Sequence, residues 1–474
     1  MTEIITRFAP SPTGNLHLGS ARTALINFVI SQQNLSSKFY LRIEDTDKTR
    51  SKKEYTKNII ESLLWLGLSW DSEPQIQSQR IEKHKEIANL LLDKNYAYKC
   101  NCDEEKLEEK RRLVKKNNLN IKKICTTCKD DQSVQNLSSN YVVRIKIPID
   151  GETNISDIVQ GNILVKNKEL DDYIILRKDG TPTYMLSVAV DDHDLGINYI
   201  IRGDDHLNNT FRQKYIYEFM EWKEPKYSHI PLIHGEDGSK LSKRHGAINI
   251  IDLKKIGYLP EAVINNLILL GWSPNKQENE NKKGSELVTL EEIVNKFKLE
   301  KLSKSASIFS YTKLNFFNNY YLRLNENLNS FVDFCKKHHN LKLYYEDDKN
   351  KLLRIFEIYK KNLNYYEEIL NYINIYFDKE YILSETTNKF DNIFENNFKE
   401  FKQDLSKINN WTKEELENYL KIFLKDKNIK YPIFGKPLRY ILTKFYDGPS
   451  ISDIFFILGK KDSMQRLNQY ITKI

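Results

Sequence analysis

The sequence predicts an α/β protein in which a parallel, nucleotide-binding type of fold is split by an insertion and followed by an all-helical region. Three observations predict it. Strand and helix patterns alternate at the start of the chain; the alternation breaks near Cys100 and resumes at "INYIIRG"; and beyond about Asn325 almost everything has helical period.

In order, "EIITRFA" reads as strand, residues 19 to 33 as helix and "KFYLRIE" as strand, a parallel beginning. Ser51 and Glu54 then form a capping box for a helix running to about Leu66. Near Cys100 the charged helical stretch "DEEKLEEKRRLVKK" leads into the β-rich "YVVRIKIPI", so residues of about 100 to 190 are read as an insertion. Strand and helix return with "INYIIRG" and "HLNNTFRQKYIYEFMEW". "SHIPLIHGEDGSKLSKRHGAINI" is a strand followed by a loop, in which Gly235, Gly238 and Gly246 allow backbone conformations that other residues resist. The helical "PEAVINNLILLGW" ends at Gly271 and Pro274, and the polar "NKQENENKKGSE" is a loop. The remainder, with a second capping box at Thr412 and Glu415 and no internal repeat, is a separate helical domain.

A chain of 474 residues is long enough for two to four domains. Its net charge of +8 favours a polyanionic partner, although Lys- and Asn-rich wording also follows from genomic base bias. No stretch reaches the apolar length of a membrane span, and Glu3 and Arg7 stand where a signal peptide carries its apolar core. A cytoplasmic protein without membrane contact is expected. Four of the five cysteines fall within residues 100 to 128, which fits a reducing compartment and a local metal site better than a disulfide framework.

"SPTGNLHLGS" carries the first chemical signal. A helix that leaves a strand through a glycine-containing turn offers free N–H groups and a positive dipole end to phosphate. There His17 is a donor to phosphate oxygens, Ser20 a second polar group on the same turn, and Gly19 the gap through which a base or ribose approaches the backbone. A plain helix cap accounts for the same residues. The second signal is "KLSKR" on a glycine-flanked loop, whose Lys240 and Lys243 are placed to close over the same phosphates; alone it is a solvated charge run.

Together, in this order on a split α/β domain, the two motifs resemble the paired signatures of class I aminoacyl-tRNA synthetases. "RFAPSPTGNLHLGSARTALINF", "RIEDTD", "DGTPTYMLSVAVDDHDLGINYIIRGDDHLNNTFRQ", "GSKLSKRHGA", "GYLPEAVINNLILLGWSP" and "KPLRYILTK" are similar to the bacterial glutamyl-tRNA synthetases. Recognisable wording runs from residue 4 to the C-terminus, and it is specific up to about Trp272. Two departures stand out: Phe211 occupies a usual proline position, and Ser20 replaces a second histidine found in many members of the class.

The resemblance implies a Rossmann-like catalytic domain in two halves, residues 1–99 and 191–234, interrupted by an acceptor-binding domain at 100–190. It further implies a stem-contact domain with the KLSKR loop at 235–324 and an all-helical anticodon-binding domain at 325–474. The implied activity is ATP-dependent conversion of L-glutamate to glutamyl-adenylate, then transfer to the 3′ end of tRNA(Glu), with Mg²⁺ accompanying ATP and the enzyme a monomer. His17, Lys240 and Lys243 become the catalytic set, and ATP falls to these with Gly19, Ser20 and His206. Arg7 and Tyr184 would hold the glutamate side-chain carboxylate, Arg202 the α-carboxylate and Glu44 the amino group, with Ser11 a further contact. Arginine suits carboxylates because its planar fork binds them in bidentate fashion.

Cys100, Cys102, Cys125 and Cys128 form two close pairs, and four thiolates suit a structural, tetrahedral Zn²⁺; free cytosolic thiols are the bland alternative. Three rival functions remain: a form that also charges tRNA(Gln), a non-catalytic tRNA-binding paralogue, and a small nucleotidyltransferase. The intact motif residues count against the second and the long helical region against the third.

Overall fold

The computed structural model describes residues 3–116, 125, 127–239, 249–274, 286–324, 327–383 and 390–471. It forms two compact units, Met1–Lys254 with Pro260–Phe317 and Lys255–Leu259 with Asn318–Ile474.

In the first unit β1 (Ile5–Phe8), α1 (Leu18–Gln32), β2 (Lys38–Ile43), α2 (Lys53–Trp65), β3 (Gln75–Ile76) and α3 (Ile81–Asp93) make a parallel run in the order β1-β2-β3. Next come β4 (Ala97–Cys100), α4 (Glu104–Lys116), α5 (Gln132–Gln135), β5 (Val142–Ile145), the hairpin β6 (Glu152–Asp157) and β7 (Gly161–Lys166), and β8 (Ile174–Leu176). The strands β4-β5-β8 form a small antiparallel sheet. Then follow α6 (Tyr184–Asp194), β9 (Tyr199–Gly203), α7 (Leu207–Phe219), β10 (Lys226–Ile230), β11 (Ile233–His234), α8 (Ile250–Ile256), α9 (Pro260–Ile268), α10 (Leu290–Lys296), β12 (Ser307–Ile308) and α11 (Tyr311–Leu322).

A second sheet runs β7-β6-β10-β9, with β9 and β10 parallel. The two parallel runs meet where β1 lies alongside β9: the Ile5 N–H donates to Asn198 Oδ1 at 2.8 Å, and the Asn198 N–H to the Ile5 carbonyl at 3.2 Å. The order in which the chain adds strands reverses there, and in open α/β sheets such a switch point leaves a crevice beyond the carboxyl ends of the strands. α1 covers it. That helix is buried on nearly every side, from Leu18 and Ala21 to Val29 and Ile30, and its buried polar side chains have partners: Asn27 Nδ2 donates to the Ile201 carbonyl at 3.1 Å and Ser31 Oγ to the Phe28 carbonyl at 2.7 Å. Buried Arg22 closes the packing, donating to the Pro231 carbonyl at 2.7 Å and the Leu270 carbonyl at 2.6 Å, and burial lowers its pKa to about 10 against the pull of Asp204.

The second unit is helical, with α12 (Leu328–Lys337), α13 (Leu341–Tyr359), α14 (Leu370–Phe377), α15 (Asn392–Ser406), α16 (Lys413–Asp426), α17 (Tyr431–Thr443) and α18 (Ile451–Ile471). Its core is aromatic: Phe331 stacks on Phe356 at 3.9 Å, and Phe394, Phe401 and Phe423 surround Phe434. Residues 255–259 pack here through Gly257, whose φ is 91° and where a Cβ would stand 2.5 Å from Tyr366 Cβ, leaving no room for a side chain.

The expected limit at residue 190 falls inside α6, and the limit at 99 inside β4. α6 is buried without a break from Leu186 to Asp192, and β4 at Ala97, Tyr98 and Cys100, so both run through the interior at those points. β11 pairs with β12, and β6 joins β10, so the insertion and the 235–324 stretch share sheets with the catalytic strands. The Ser51 capping box does not form: Lys52 is the N-cap of α2 and has no side-chain cap bond. The Ser51 N–H goes to the Asp47 carbonyl at 2.9 Å instead of to Glu54, inside a turn in which Asp47 Oδ1 also accepts the Thr49 and Arg50 N–H groups. Thr412 does accept from the Glu415 N–H. Phe211 sits inside α7, buried in the core. Among the described residues no helix is long and apolar enough to cross a membrane.

Candidate active site

At the switch point lies a cavity of about 580 Å³. Its walls are the segment after β1, the first turn of α1, the carboxyl ends of β9 and β10, and α6. Arg7, Ser11 and Glu44 reach it from the first parallel run, His17, Gly19 and Ser20 from α1, Tyr184 from α6, and Arg202 and His206 from the end of β9. Lys240 and Lys243 lie outside the described residues. The chain on either side of them is at the cavity: Ile233 lines it, Asn249 bridges to His17, and the Ile250 N–H donates to the Leu16 carbonyl at 3.0 Å.

His17 is the N-cap of α1, and its Nδ1 accepts the Ser20 N–H at 3.2 Å. The cap therefore exists, and it fixes the ring. With Nδ1 as acceptor, the proton of the neutral imidazole sits on Nε2, which faces Ser20 Oγ at 2.9 Å and can donate to an anion. Gly19 has a reason the sequence did not supply. A Cβ there would stand 3.2 Å from His17 Nδ1, so a larger residue would displace the ring.

Behind the cavity runs a buried charge network that the sequence did not reveal. Arg7 Nε donates to Asp192 Oδ1 at 3.0 Å and Arg42 Nη1 donates to the same oxygen at 2.6 Å, while Arg42 Nη2 donates to Glu44 Oε1 at 3.2 Å. Asp191, the next residue on α6, faces the other way, to Arg80 Nε at 2.7 Å, His84 Nε2 at 2.8 Å and Gln77 Nε2 at 2.9 Å. Burial works against Asp192 as an anion, yet Arg42 and Arg7 hold its carboxyl below the usual range. Burial wins at Glu44 and raises its pKa, although Arg42 and Arg7 pull the other way. A buried carboxylate so poised gains from the arrival of an ammonium group.

Arg202 is held on three sides. Its Nε donates to His229 Nε2 at 3.2 Å and its Nη2 to Thr210 Oγ1 at 2.6 Å, and Nη1 approaches the Tyr184 hydroxyl at 3.4 Å. The same hydroxyl meets His206 Nδ1 at 3.0 Å. Burial first, and then the Arg202 charge, lowers the His206 pKa to about 4, so its ring is neutral at ordinary pH.

The cysteines form a separate cluster against Tyr98 and Val134. All four sulfurs lie within 4.8 Å of one another, with Cys100–Cys125 at 3.6 Å, Cys102–Cys125 at 3.5 Å and Cys102–Cys128 at 3.3 Å. A tetrahedron of thiolates around zinc, with Zn–S near 2.3 Å, requires S···S of about 3.8 Å, so the donor set and its size fit that ion. Arg144 beside Cys100 supplies a positive charge against the four thiolates.

Fold and cavity define a Rossmann-type nucleotide-binding enzyme whose pocket pairs two arginines with a carboxylate. Residues 3–316 match the family of class I tRNA synthetases (E and Q), catalytic domain, and residues 323–471 an anticodon binding domain. The chain belongs to the class I tRNA synthetases of this E and Q family. It is 40% identical over 469 residues to Glutamate–tRNA ligase 2 of Wolbachia pipientis subsp. Culex pipiens, covering 98% of this chain and 99% of the relative. Identity is also 40% over 481 residues to Glutamate–tRNA ligase 1 of Erythrobacter litoralis, covering 99% and 96%. The crystal structure of glutamate-tRNA synthetase from Elizabethkingia anophelis superposes with a TM-score of 0.84 at 28% identity, over 99% of this chain and 100% of that one. A glutamate tRNA ligase from Elizabethkingia meningosepticum, solved in complex with its amino acid, gives 0.83 at 27%, over 99% of each chain.

Proposed function

We infer that the chain is a glutamate–tRNA ligase, joining L-glutamate to the 3′ end of tRNA(Glu) at the expense of ATP. The observation that carries the reading is one cavity holding Arg7 and Arg202 with Glu44 between two parallel runs of sheet. Glutamate carries two carboxylates and one ammonium, and these three groups complement them.

Arg7 and Tyr184 take the side-chain carboxylate, Arg202 the α-carboxylate and Glu44 the ammonium, with Ser11 at the rim. An α-carboxylate oxygen attacks the α-phosphorus of ATP, the bond to the bridging oxygen breaks, and pyrophosphate leaves. His17 Nε2–H, with Ser20 beside it, donates to phosphate oxygens, and His206 lines the nucleotide side. Lys240 and Lys243 complete the phosphate contacts from the loop whose two ends flank the cavity. The terminal ribose hydroxyl of tRNA then attacks the acyl carbon and AMP departs. No protein nucleophile is needed, because orientation and charge stabilisation carry such a displacement. Mg²⁺ enters with ATP and offsets phosphate charge. Cys100, Cys102, Cys125 and Cys128 hold a structural zinc, which supplies folding energy to the β4-β5-β8 region. The helical unit binds the anticodon, and the protein works as a cytoplasmic monomer.

The test is ATP–pyrophosphate exchange with glutamate, run with and without tRNA(Glu), followed by charging of that tRNA. Exchange with another amino acid, or none under either condition, would sink the reading.

A further inference from the structure

Arg202 and His229 are register partners across the parallel strands β9 and β10, so their side chains stand next to each other on one face of the sheet. Arg202 lines the cavity and His229 does not. A guanidinium has only donors, so the imidazole nitrogen 3.2 Å from Arg202 Nε must be bare. The proton of His229 then sits on Nδ1, and there it meets Asp157 Oδ2 at 2.7 Å. Both ends of the ring agree on one tautomer. Thr210 Oγ1 accepts from Arg202 Nη2 at 2.6 Å and lies 2.9 Å from His229 Nε2, closing a triangle on the same guanidinium edge.

Asp157, at the end of β6, is anchored as firmly. It accepts the N–H groups of Val159 at 2.9 Å, Gln160 at 2.7 Å and His229 at 3.0 Å, in addition to the His229 ring. Asp157, His229 and Thr210 are all buried. Burial lowers the His229 pKa, with Asp157 opposing and Arg202 reinforcing, so the ring stays neutral and its Nε2 lone pair stays available.

We propose that His229, locked by Asp157, is a positioning residue for amino-acid recognition: it occupies one edge of Arg202 and leaves the Nη1 edge aimed into the cavity for the substrate α-carboxylate. The inference rests on the glutamate-activating reading above. Without the lock, the guanidinium retains Thr210 and Tyr184 as partners but can rotate about its stem, and a bidentate grip on a carboxylate does not survive that freedom.

The test separates the two ring nitrogens. His229→Asn keeps an amide N–H in the Nδ1 position for Asp157 and deletes the acceptor for Arg202; His229→Gln places an amide oxygen in the Nε2 position. In ATP–pyrophosphate exchange His229→Asn is expected to raise the KM for glutamate roughly tenfold or more, the scale of one charge-assisted hydrogen bond, with the KM for ATP within about twofold. His229→Gln is expected to recover most of the loss. Thr210→Val, which removes the hydroxyl without changing shape, is expected to move the glutamate KM in the same direction by about threefold, and it decides the matter if His229→Asn does not fold. A normal glutamate KM in the folded variants, or equal rises for glutamate and ATP, would overturn the positioning role while wild-type exchange keeps the ligase reading intact. Absence of glutamate-dependent exchange in the wild-type protein would overturn both.

Discussion

Replacing Asp192 by Asn changes one atom and removes one charge from the centre of the buried network. Asp192 Oδ1 serves Arg7 at 3.0 Å and Arg42 at 2.6 Å, and the side chains involved are 4%, 0% and 0% exposed. Removing one partner of such a pair leaves an uncompensated buried charge and costs about 3–5 kcal/mol, which is roughly a 5–10 °C fall in melting temperature for a unit of this size. Function suffers separately. The isosteric amide still accepts one hydrogen bond, so the fold survives, but both guanidinium groups then draw on Glu44, which already accepts from Arg42 at 3.2 Å. Arg7 loses its orientation and Glu44 part of its attraction for an ammonium. About 1.4 to 2.8 kcal/mol of lost binding corresponds to a glutamate KM raised roughly 10- to 100-fold, with the ATP value little changed. The assays are exchange kinetics with each substrate varied in turn and thermal melting of the same samples. An Asp192→Asn protein with both the wild-type glutamate KM and the wild-type melting temperature would refute the reasoning.

The pKa of His206 is lowered from 6.5 to about 4, so the stability it contributes is fully present above pH 6.5 and is lost as pH falls toward 4; His206→Gln is expected to flatten that part of the melting-temperature profile. Cys125→Ser is expected to lower the zinc content and raise the KM for tRNA more than that for ATP, and finding no zinc in fully active protein purified without added metal would remove the site. Lys243→Ala is expected to slow adenylate formation about a hundredfold with a much smaller change in ATP affinity, read by pre-steady-state kinetics with saturating tRNA; a near-normal rate would leave Lys240 as the remaining candidate on that loop.

What the sequence revealed depended on the range of the interaction. β1, α1 and β2 were legible because their signals are local: an apolar strand, a glycine turn and a helix within 40 residues. The cavity residues were reached through motif wording, since nothing local ties Arg7 to Arg202. Asp192 stayed hidden because its partners are 185 and 150 residues away, and the motif "VAVDDHD" reads as an ordinary acidic helix end until the fold brings Arg7 and Arg42 to it. His229 stayed hidden for the same reason, with Asp157 72 residues upstream. The Ser51 cap failed although its pattern was correct, because the Asp47 carbonyl takes the Ser51 N–H at 2.9 Å that a box would offer to Glu54, and the helix starts one residue later with Lys52 as N-cap. The grouping of residues 255–259 with the helical unit left no mark in composition, because the fit of Gly257 against Tyr366 is a matter of packing.

The two aspartates of α6 explain why so many charges are tolerated behind one pocket. From the partly exposed Arg80 the signs alternate inward: Arg80, Asp191, Arg42, Asp192, Arg7, each neighbour within 4.0 Å of the next. Alternation means that no member meets a buried environment alone, which is the condition under which low dielectric strengthens a network instead of discharging it. Consecutive residues on a helix point about 100° apart, so Asp191 reaches Arg80 and Asp192 reaches Arg7 while both flank Arg42 from a single rigid segment. Arg7 is thereby fixed by a chain of pairs that ends at the surface, with Nη1 near the Ile201 carbonyl at 3.4 Å, and it lines the cavity already oriented. Arg202 reaches the same state through neutral partners, His229 and Thr210, which leave its full charge uncompensated. The site thus holds one arginine whose charge is shared with Asp192 and one whose charge is not, and the less compensated guanidinium exerts the stronger pull on a carboxylate. On the assignment proposed above, the stronger attraction falls to the α-carboxylate, the group that must be held for attack on phosphorus, and the weaker to the side chain, where shape and the Tyr184 hydroxyl would share the work of recognition.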